Sequence, residues 1–161
     1  VGTTCFDALI QAVDTQSFHA QALKLGYDRM VIQVGKGSYR PGLGGNALGV
    51  ECFDFKPSLE EEMNSASLVI SHAGAGSVIE ALRAGRRLLV VVNPLLMDNH
   101  QLELAEAMHS RGFCAMARRP EDLLEALEEA ATMQPKSYPP IDLGPWHKVV
   151  EDACGVAPAN D

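Results

Sequence analysis

Short apolar runs alternate along this chain with stretches in which apolar positions recur every three or four residues. Met30-Val-Ile-Gln-Val34, Leu68-Val-Ile70 and Arg87-Leu-Leu-Val-Val-Val92 have the β-branched, apolar pattern of buried strands. The last is apolar almost throughout, as a strand covered on both faces requires. Val50-Glu-Cys-Phe-Asp-Phe55 alternates and predicts another strand, and Phe113-Cys-Ala-Met116 a short one. Helical spacing connects Phe6, Leu9, Ile10 and Val13. It returns at Phe18, Ala22 and Leu25 up to Gly26, at Val78, Ile79, Ala81 and Leu82 up to Gly85, and at Leu102, Ala105 and Met108. Pro57-Ser-Leu-Glu-Glu61 opens a helix with a capping-box pattern, and Pro120 opens an acidic helix running to Ala131. Tyr138-Pro-Pro140 interrupts the pattern, and Trp146 to Cys154 predicts a last helix. Strand following helix in this way predicts an α/β fold, a doubly wound, mostly parallel, Rossmann-like sheet.

Two stretches do not fit a regular element. The polar, Gly-rich segment from 35 to 49 predicts a mobile loop, with Lys36 and Arg40 as cations that can meet phosphate or remain solvated. Val1 followed by Gly-Thr-Thr has the form of the last residue of a strand and its exit turn. Most of a first strand is therefore expected upstream of residue 1. The expected organisation is a single domain over 1–161, with a helix and tail from about residue 138.

Composition narrows the classes. A chain of 161 residues with 47% apolar content buries a sizeable core. Its net charge of −8 argues against binding nucleic acid by phosphate neutralisation. No apolar run is long enough to span a bilayer, and no signal peptide is visible. Cys5, Cys52, Cys114 and Cys154 form no CxxC pair and read as reduced thiols of a cytoplasmic protein.

The chemistry gathers at strand-to-helix turns. Ile70-Ser-His-Ala-Gly-Ala-Gly-Ser77 runs from a strand into a helix, so backbone N–H groups and a helix N-terminus converge where Gly74, Ala75 and Gly76 allow close approach. Such a spot suits a phosphate or diphosphate. Ser77 and Glu80 also fit a capping box, and His72 also fits an ordinary strand-end histidine. Gly2, Thr3 and Thr4 form a second turn of this kind, in which Thr4 can instead be a helix N-cap. Gln33 and Gly35 stand at the end of another strand, where they can contact ligand. Asp98, Asn99, His100 and Gln101 cluster at the next turn, either as an Asp98 cap with Gln101 at N3 or as a fan of donors and acceptors for sugar hydroxyls. In an open α/β sheet these strand ends share one ligand-binding edge.

Taken together, Val1-Gly-Thr-Thr-Cys-Phe-Asp7, the His72 to Ser77 turn with Glu80, and Leu96-Met-Asp-Asn-His-Gln-Leu-Glu-Leu-Ala105 closely resemble the soluble subunit of the two-subunit dolichol-linked N-acetylglucosaminyltransferase. The likeness runs from residue 1 to about residue 130, and more loosely through Tyr138-Pro-Pro140. More distantly the chain is similar to the donor-binding half of GT-B enzymes. The resemblance implies that Gly74, Ala75, Gly76 and Ser77 hold the diphosphate of UDP-GlcNAc, with His72 nearby. It implies that Glu80 binds the ribose diol, that Asn99, His100 and Gln101 read the sugar, and that Gly2, Thr3 and Thr4 close the crevice. It also implies a membrane-anchored partner that recruits the chain to the cytosolic face of the endoplasmic reticulum and carries the acceptor site. GlcNAc would pass with inversion to GlcNAc-diphosphate-dolichol. The partner is expected to supply the base, with His72 and His100 in support at most.

No Asp-x-Asp pair occurs, so no metal or other cofactor is expected for donor binding. A helix N-terminus stabilises the departing diphosphate instead. The Trp146 helix is expected either to join the partner interface or to pack on its own domain. The alternatives are a soluble subunit of a bacterial exopolysaccharide glycosyltransferase using another UDP-sugar, and a non-catalytic nucleotide-binding module. An NAD-binding Rossmann domain is disfavoured because the G-x-G-x-x-G spacing is absent.

Overall fold

A computed structural model describes residues 1–42, 47–94, 100–134 and 136–139, with the side chain at position 100 excepted. Strands β1 (Arg29–Gln33) and β2 (Gly49–Phe53) pair in parallel. Strands β3 (Leu68–His72), β4 (Arg87–Val91) and β5 (Ala115–Ala117) form a second parallel ladder in that order. The register sets His72 beside Val91 and Val91 beside Ala117, which brings the carboxyl ends of the ladder to one edge. The helices are α1 (Asp7–Val13), α2 (Gln16–Lys24), α3 (Glu60–Ser65), α4 (Ala75–Arg83), α5 (His100–Ser110) and α6 (Leu123–Thr132).

Strand β4 shows why this is a doubly wound fold. Leu89 and Val91 face one core with α1, α2 and α6, whose contributions include Ile10, Phe18 and Leu127. Leu88 and Val90 face the other core with Met63 of α3, Val78 and Leu82 of α4, and Ala105 of α5. All four β4 side chains are completely buried. That is the two-sided burial the continuous apolar run predicts, and the α/β, mostly parallel architecture is as expected.

Among the described residues β1 and β3 are not hydrogen-bonded to each other. A cleft of about 480 Å³ separates them, lined by every residue of β1 and by Leu68, Val69, Ile70 and Ser71 of β3. At its carboxyl end the Val1 amine donates to the Gln33 carbonyl oxygen at 2.7 Å.

Several local expectations change. The residue before α1 is Phe6, with no side-chain cap, so Thr4 is not the N-cap; its carbonyl instead accepts from Lys36 N–H at 3.0 Å. Helix α3 starts after Leu59, and the Ser58 hydroxyl oxygen accepts from the N–H of its first residue, Glu60, at 3.3 Å, in place of the reciprocal box with Glu61. Strand β5 begins two residues later than the pattern suggests. Gly112, at φ +78°, ends α5, and the Phe113 N–H bonds back to the Met108 carbonyl, which spends Phe113 on the helix terminus.

The described part of the loop after β1 is tied down. Asp7 accepts from Ser38 N–H and hydroxyl, Asp14 accepts from the Tyr39 hydroxyl at 2.7 Å and Gly42 N–H at 2.8 Å, and Arg40 pairs with Asp54. These contacts anchor residues 38–42 of that segment to Asp7, Asp14 and Asp54. Cys5 and Cys52 are free and exposed, whereas Cys114 is buried and its thiol is pushed up to about 12 by desolvation. The predicted Trp146 helix, Cys154 and the Asp98 cap lie outside the described residues.

Candidate functional site

The site forms where β3 hands over to α4. Gly74 occupies the N-cap position of α4 and offers no side chain to it, so no side-chain hydrogen bond closes the helix N-terminus. The N–H groups of Ala75, Gly76 and Ser77 therefore begin the helix without the intrahelical acceptors that later residues have. Ala75 and Gly76 are exposed, and a Cβ placed on Gly76 would meet nothing within 4 Å. Open backbone with positive partial charge is what an anion requires.

The capping box read from Ser77 and Glu80 does not form. Ser77 lies inside α4, at its third position, and Glu80 is exposed one turn further along. Neither side chain has a partner among the described residues. Three residues apart on a helix, they share a face. The carboxylate and the hydroxyl are thus left available beside the open N-terminus.

His72 packs over this turn. Its ring lies so close to Gly74 that a Cβ there would run into Nε2, and a Cβ on Gly2 would sit 3.4 Å from its Cε1. The Ser71 hydroxyl donates to the His72 carbonyl at 2.9 Å and fixes the strand end. The His72 Nδ1 is buried without a partner. Burial pushes the imidazole below its ordinary value, so it is neutral near pH 7.

Gly2 brings the first turn onto the same spot. It adopts φ +63°, and a Cβ on it would stand 3.9 Å from the Ser77 hydroxyl oxygen. Thr3 is exposed and Thr4 half-buried in that turn. A Cβ on Gly35, after β1, would press on the Gly2 carbonyl at 2.6 Å, so the turns after Val1 and after β1 are stacked. Lys36 follows directly, exposed and without an ion pair among the described residues, whereas Arg40 is engaged by Asp54.

The structure thus assembles Gly2, His72, Gly74 and Ser77, with Thr3, Thr4, Ala75, Gly76 and Glu80 on the same two turns. Gln33 stands differently. It is buried, and its side-chain oxygen accepts from Lys56 N–H at 3.2 Å, which makes it a brace between β1 and the residues after β2. Gln101 lies in the first turn of α5 with a buried, unpartnered side-chain oxygen. Asn99 and the side chain of His100 lie outside the described residues. Asn93 was not singled out from the sequence. It is buried at the carboxyl end of β4, and its only signal was a polar residue closing an apolar run.

Residues 1–142 match the glycosyltransferase family 28 C-terminal domain. The chain belongs to that family. This family 28 domain is 44% identical over 113 residues to the human UDP-N-acetylglucosamine transferase subunit ALG13, a match covering 70% of the chain and 10% of the human protein. It is 41% identical over 114 residues to the subunit of that name from Yarrowia lipolytica, covering 66% of the chain and 56% of the yeast protein. With the Cryptococcus neoformans subunit it shares 30% identity over 189 residues, covering 96% of the chain and 94% of that protein. The family 28 domain thus spans a small part of the human relative and just over half of the Yarrowia one. A solution structure of ALG13 is also similar, with a TM-score of 0.67, 25% identity and coverage of 92% of this chain and 90% of the other. The crystal structure of the kitacinnamycin glycosyltransferase shares the fold, with a TM-score of 0.52 at 21% identity, over 73% of this chain and 31% of the other.

Proposed function

We propose that this chain is the donor-binding subunit of a two-subunit, inverting N-acetylglucosaminyltransferase that moves GlcNAc from UDP-GlcNAc to GlcNAc-diphosphate-dolichol. The observation that carries the reading is the uncapped α4 N-terminus, flanked by His72 and Gly2, with Ser77 and Glu80 free of other duties. The α4 N–H groups and the helix dipole stabilise the charge that grows on the departing diphosphate. The Ser77 hydroxyl adds a donor, and neutral His72 supplies one through whichever ring nitrogen carries the proton. The Glu80 carboxylate accepts from both hydroxyls of a ribose diol, while Asn99, His100 and Gln101 read the sugar. This inventory binds a diphosphate without a metal, so chelator leaves donor binding unchanged.

No acceptor-side base belongs to this reading. The base, the lipid acceptor site and the membrane anchor are assigned to a partner subunit on the cytosolic face of the endoplasmic reticulum. Among the described residues no helix is long and apolar enough to cross a membrane. The relatives are named as transferase subunits, which supports an assembly of more than one chain.

Calorimetric titration with UDP-GlcNAc, UDP-glucose and UDP, repeated on Glu80→Ala, tests the reading. Binding that favours the GlcNAc donor and weakens at least about tenfold in the variant supports it. Equal binding of all three ligands would favour another UDP-sugar transferase, and binding indifferent to Glu80 would remove the proposed ribose contact.

A further inference from the structure

Gly35, Lys36 and Gly37 follow β1 and are clamped to the first turn. A Cβ on Gly35 would press on the Gly2 and Thr4 carbonyl oxygens, at 2.6 and 2.5 Å, and one on Gly37 would run into the Asp7 carboxylate. Between them the Lys36 N–H donates to the Thr4 carbonyl at 3.0 Å. A glycine on either side lets the two stretches of backbone touch, so the lysine stands on a fixed mount. Its side chain is exposed. The same turn also meets α4, since a Cβ on Gly2 would lie 3.4 Å from His72 Cε1 and 3.9 Å from the Ser77 hydroxyl oxygen. The Gly2 turn thus lies between the mount of the lysine and the open helix N-terminus.

Charge decides what such a lysine is for. A nucleotide sugar brings two ionised phosphates, and a departing diphosphate ionises further near neutral pH. Helix α4 answers with roughly half a positive charge, while Ser77 and His72 are both neutral. Glu80 and Asp7 add negative charge to the same turns. The diphosphate therefore needs a full cation. Other cations that follow the strands at this edge are already engaged: Arg40 by Asp54, Lys56 by Glu62, Arg118 by Glu106 and Arg119 by Asp122. Lys36 has no such partner among the described residues.

We propose that Lys36 is a catalytic residue of this site, whose ammonium contacts the diphosphate of the nucleotide sugar and stabilises the charge that collects there as the sugar leaves. In the transfer the bond from sugar C1 to the diphosphate oxygen breaks, and its electron pair stays on that oxygen. The acceptor hydroxyl oxygen bonds to C1, and its proton passes to the base assigned to the partner. Lys36 moves no proton. It lowers the energy of the charged leaving group, which a cation on a fixed mount does without reorganising. The inference rests on the donor reading and adds the cation that this reading lacks.

The test titrates the full chain with UDP, UDP-GlcNAc and uridine and follows the amide signals of Gly74 to Ser77 by NMR. The parent is compared with Lys36→Gln, Lys36→Arg and Arg40→Gln. The expected result in Lys36→Gln is a loss of about tenfold for UDP, about threefold for UDP-GlcNAc and none for uridine, because the product carries the greater charge. Lys36→Arg restores most of the affinity, and Arg40→Gln keeps it. Equal affinity of the parent and Lys36→Gln for UDP would overturn the proposal. So would a loss that extends to uridine, that is the same for UDP and UDP-GlcNAc, or that Arg40→Gln reproduces. In each of these cases the donor reading stands. A parent chain that binds none of the three ligands would overturn the donor reading and this inference with it.

Discussion

Gly74 and Gly76 stand two positions apart in one turn, yet their surroundings make opposite demands. A methyl group at position 74 collides with the His72 ring, whereas at position 76 it projects into open space. Gly74→Ala therefore displaces the imidazole or the backbone and lowers stability by about 1–3 kcal/mol, readable as a shift in the denaturant midpoint. Gly76→Ala leaves that midpoint unchanged or slightly raised, by up to about 1 kcal/mol, while donor affinity falls because the methyl occupies the path to the α4 N–H groups. Glu80→Gln belongs with the second case. The residue is exposed and unpartnered, so stability stays within about 0.5 kcal/mol while donor affinity drops.

The same corner of the molecule sets a pH dependence. Burial pushes His72 below its ordinary 6.5. The imidazole therefore takes up its proton more readily in the unfolded chain, and its contribution is complete well above pH 6.5 and is lost as pH falls below it. Urea midpoints measured from pH 8 to 5 should decline in the lower part of that range, and the decline should vanish in His72→Phe.

At the scale of elements, apolar periodicity made the strands and helices legible. Leu88 to Val92 could hardly be anything but a two-sided strand, and Gly85 stops α4 as its position suggests. Terminal chemistry was harder to read. Ser77 with Glu80 and Thr4 before α1 both had cap spacing, yet the backbone placed Gly74 and Phe6 at those positions. Spacing alone does not record where the strand releases the chain, and that is what chooses the first helical residue. The failed capping box at Ser77 is informative, because a hydroxyl and a carboxylate that do not cap remain free for a ligand.

The loop after β1 hid its anchors for a related reason. Polar, Gly-rich sequence shows no periodicity, and long-range anchors such as Asp14 are invisible in it. Asp14→Ala strips the acceptor from the Tyr39 hydroxyl and Gly42 N–H and is expected to lower stability by about 1–3 kcal/mol. Limited proteolysis should then cut between 36 and 42, where the parent chain resists.

For the molecule as a whole, the family was legible because its motifs sit on strand-to-helix turns that any α/β sheet gathers at one edge. Gln33 carries a duty that sequence does not show: its place at a strand end suggests ligand contact, and in the folded chain its side-chain oxygen also holds Lys56 N–H, a link across 23 residues. The proposed division of labour between two subunits carries its own prediction. On that reading the isolated chain is expected to bind UDP-GlcNAc and transfer nothing to a lipid-linked acceptor, and transfer is expected to begin when the proposed membrane partner is added. A radiolabelled transfer assay with and without that partner checks this, and turnover by the chain alone would refute it.

The thiols offer a practical consequence. Cys114, buried and shifted to about 12, resists alkylation under native conditions, while Cys5, exposed three positions beyond Gly2, does not. With Cys52 and Cys154 replaced by serine, a maleimide fluorophore goes selectively to Cys5, beside the turn that meets His72. The protein thereby carries its own attachment point for an optical reporter of occupancy, and late modification of Cys114 becomes a stopwatch for global unfolding.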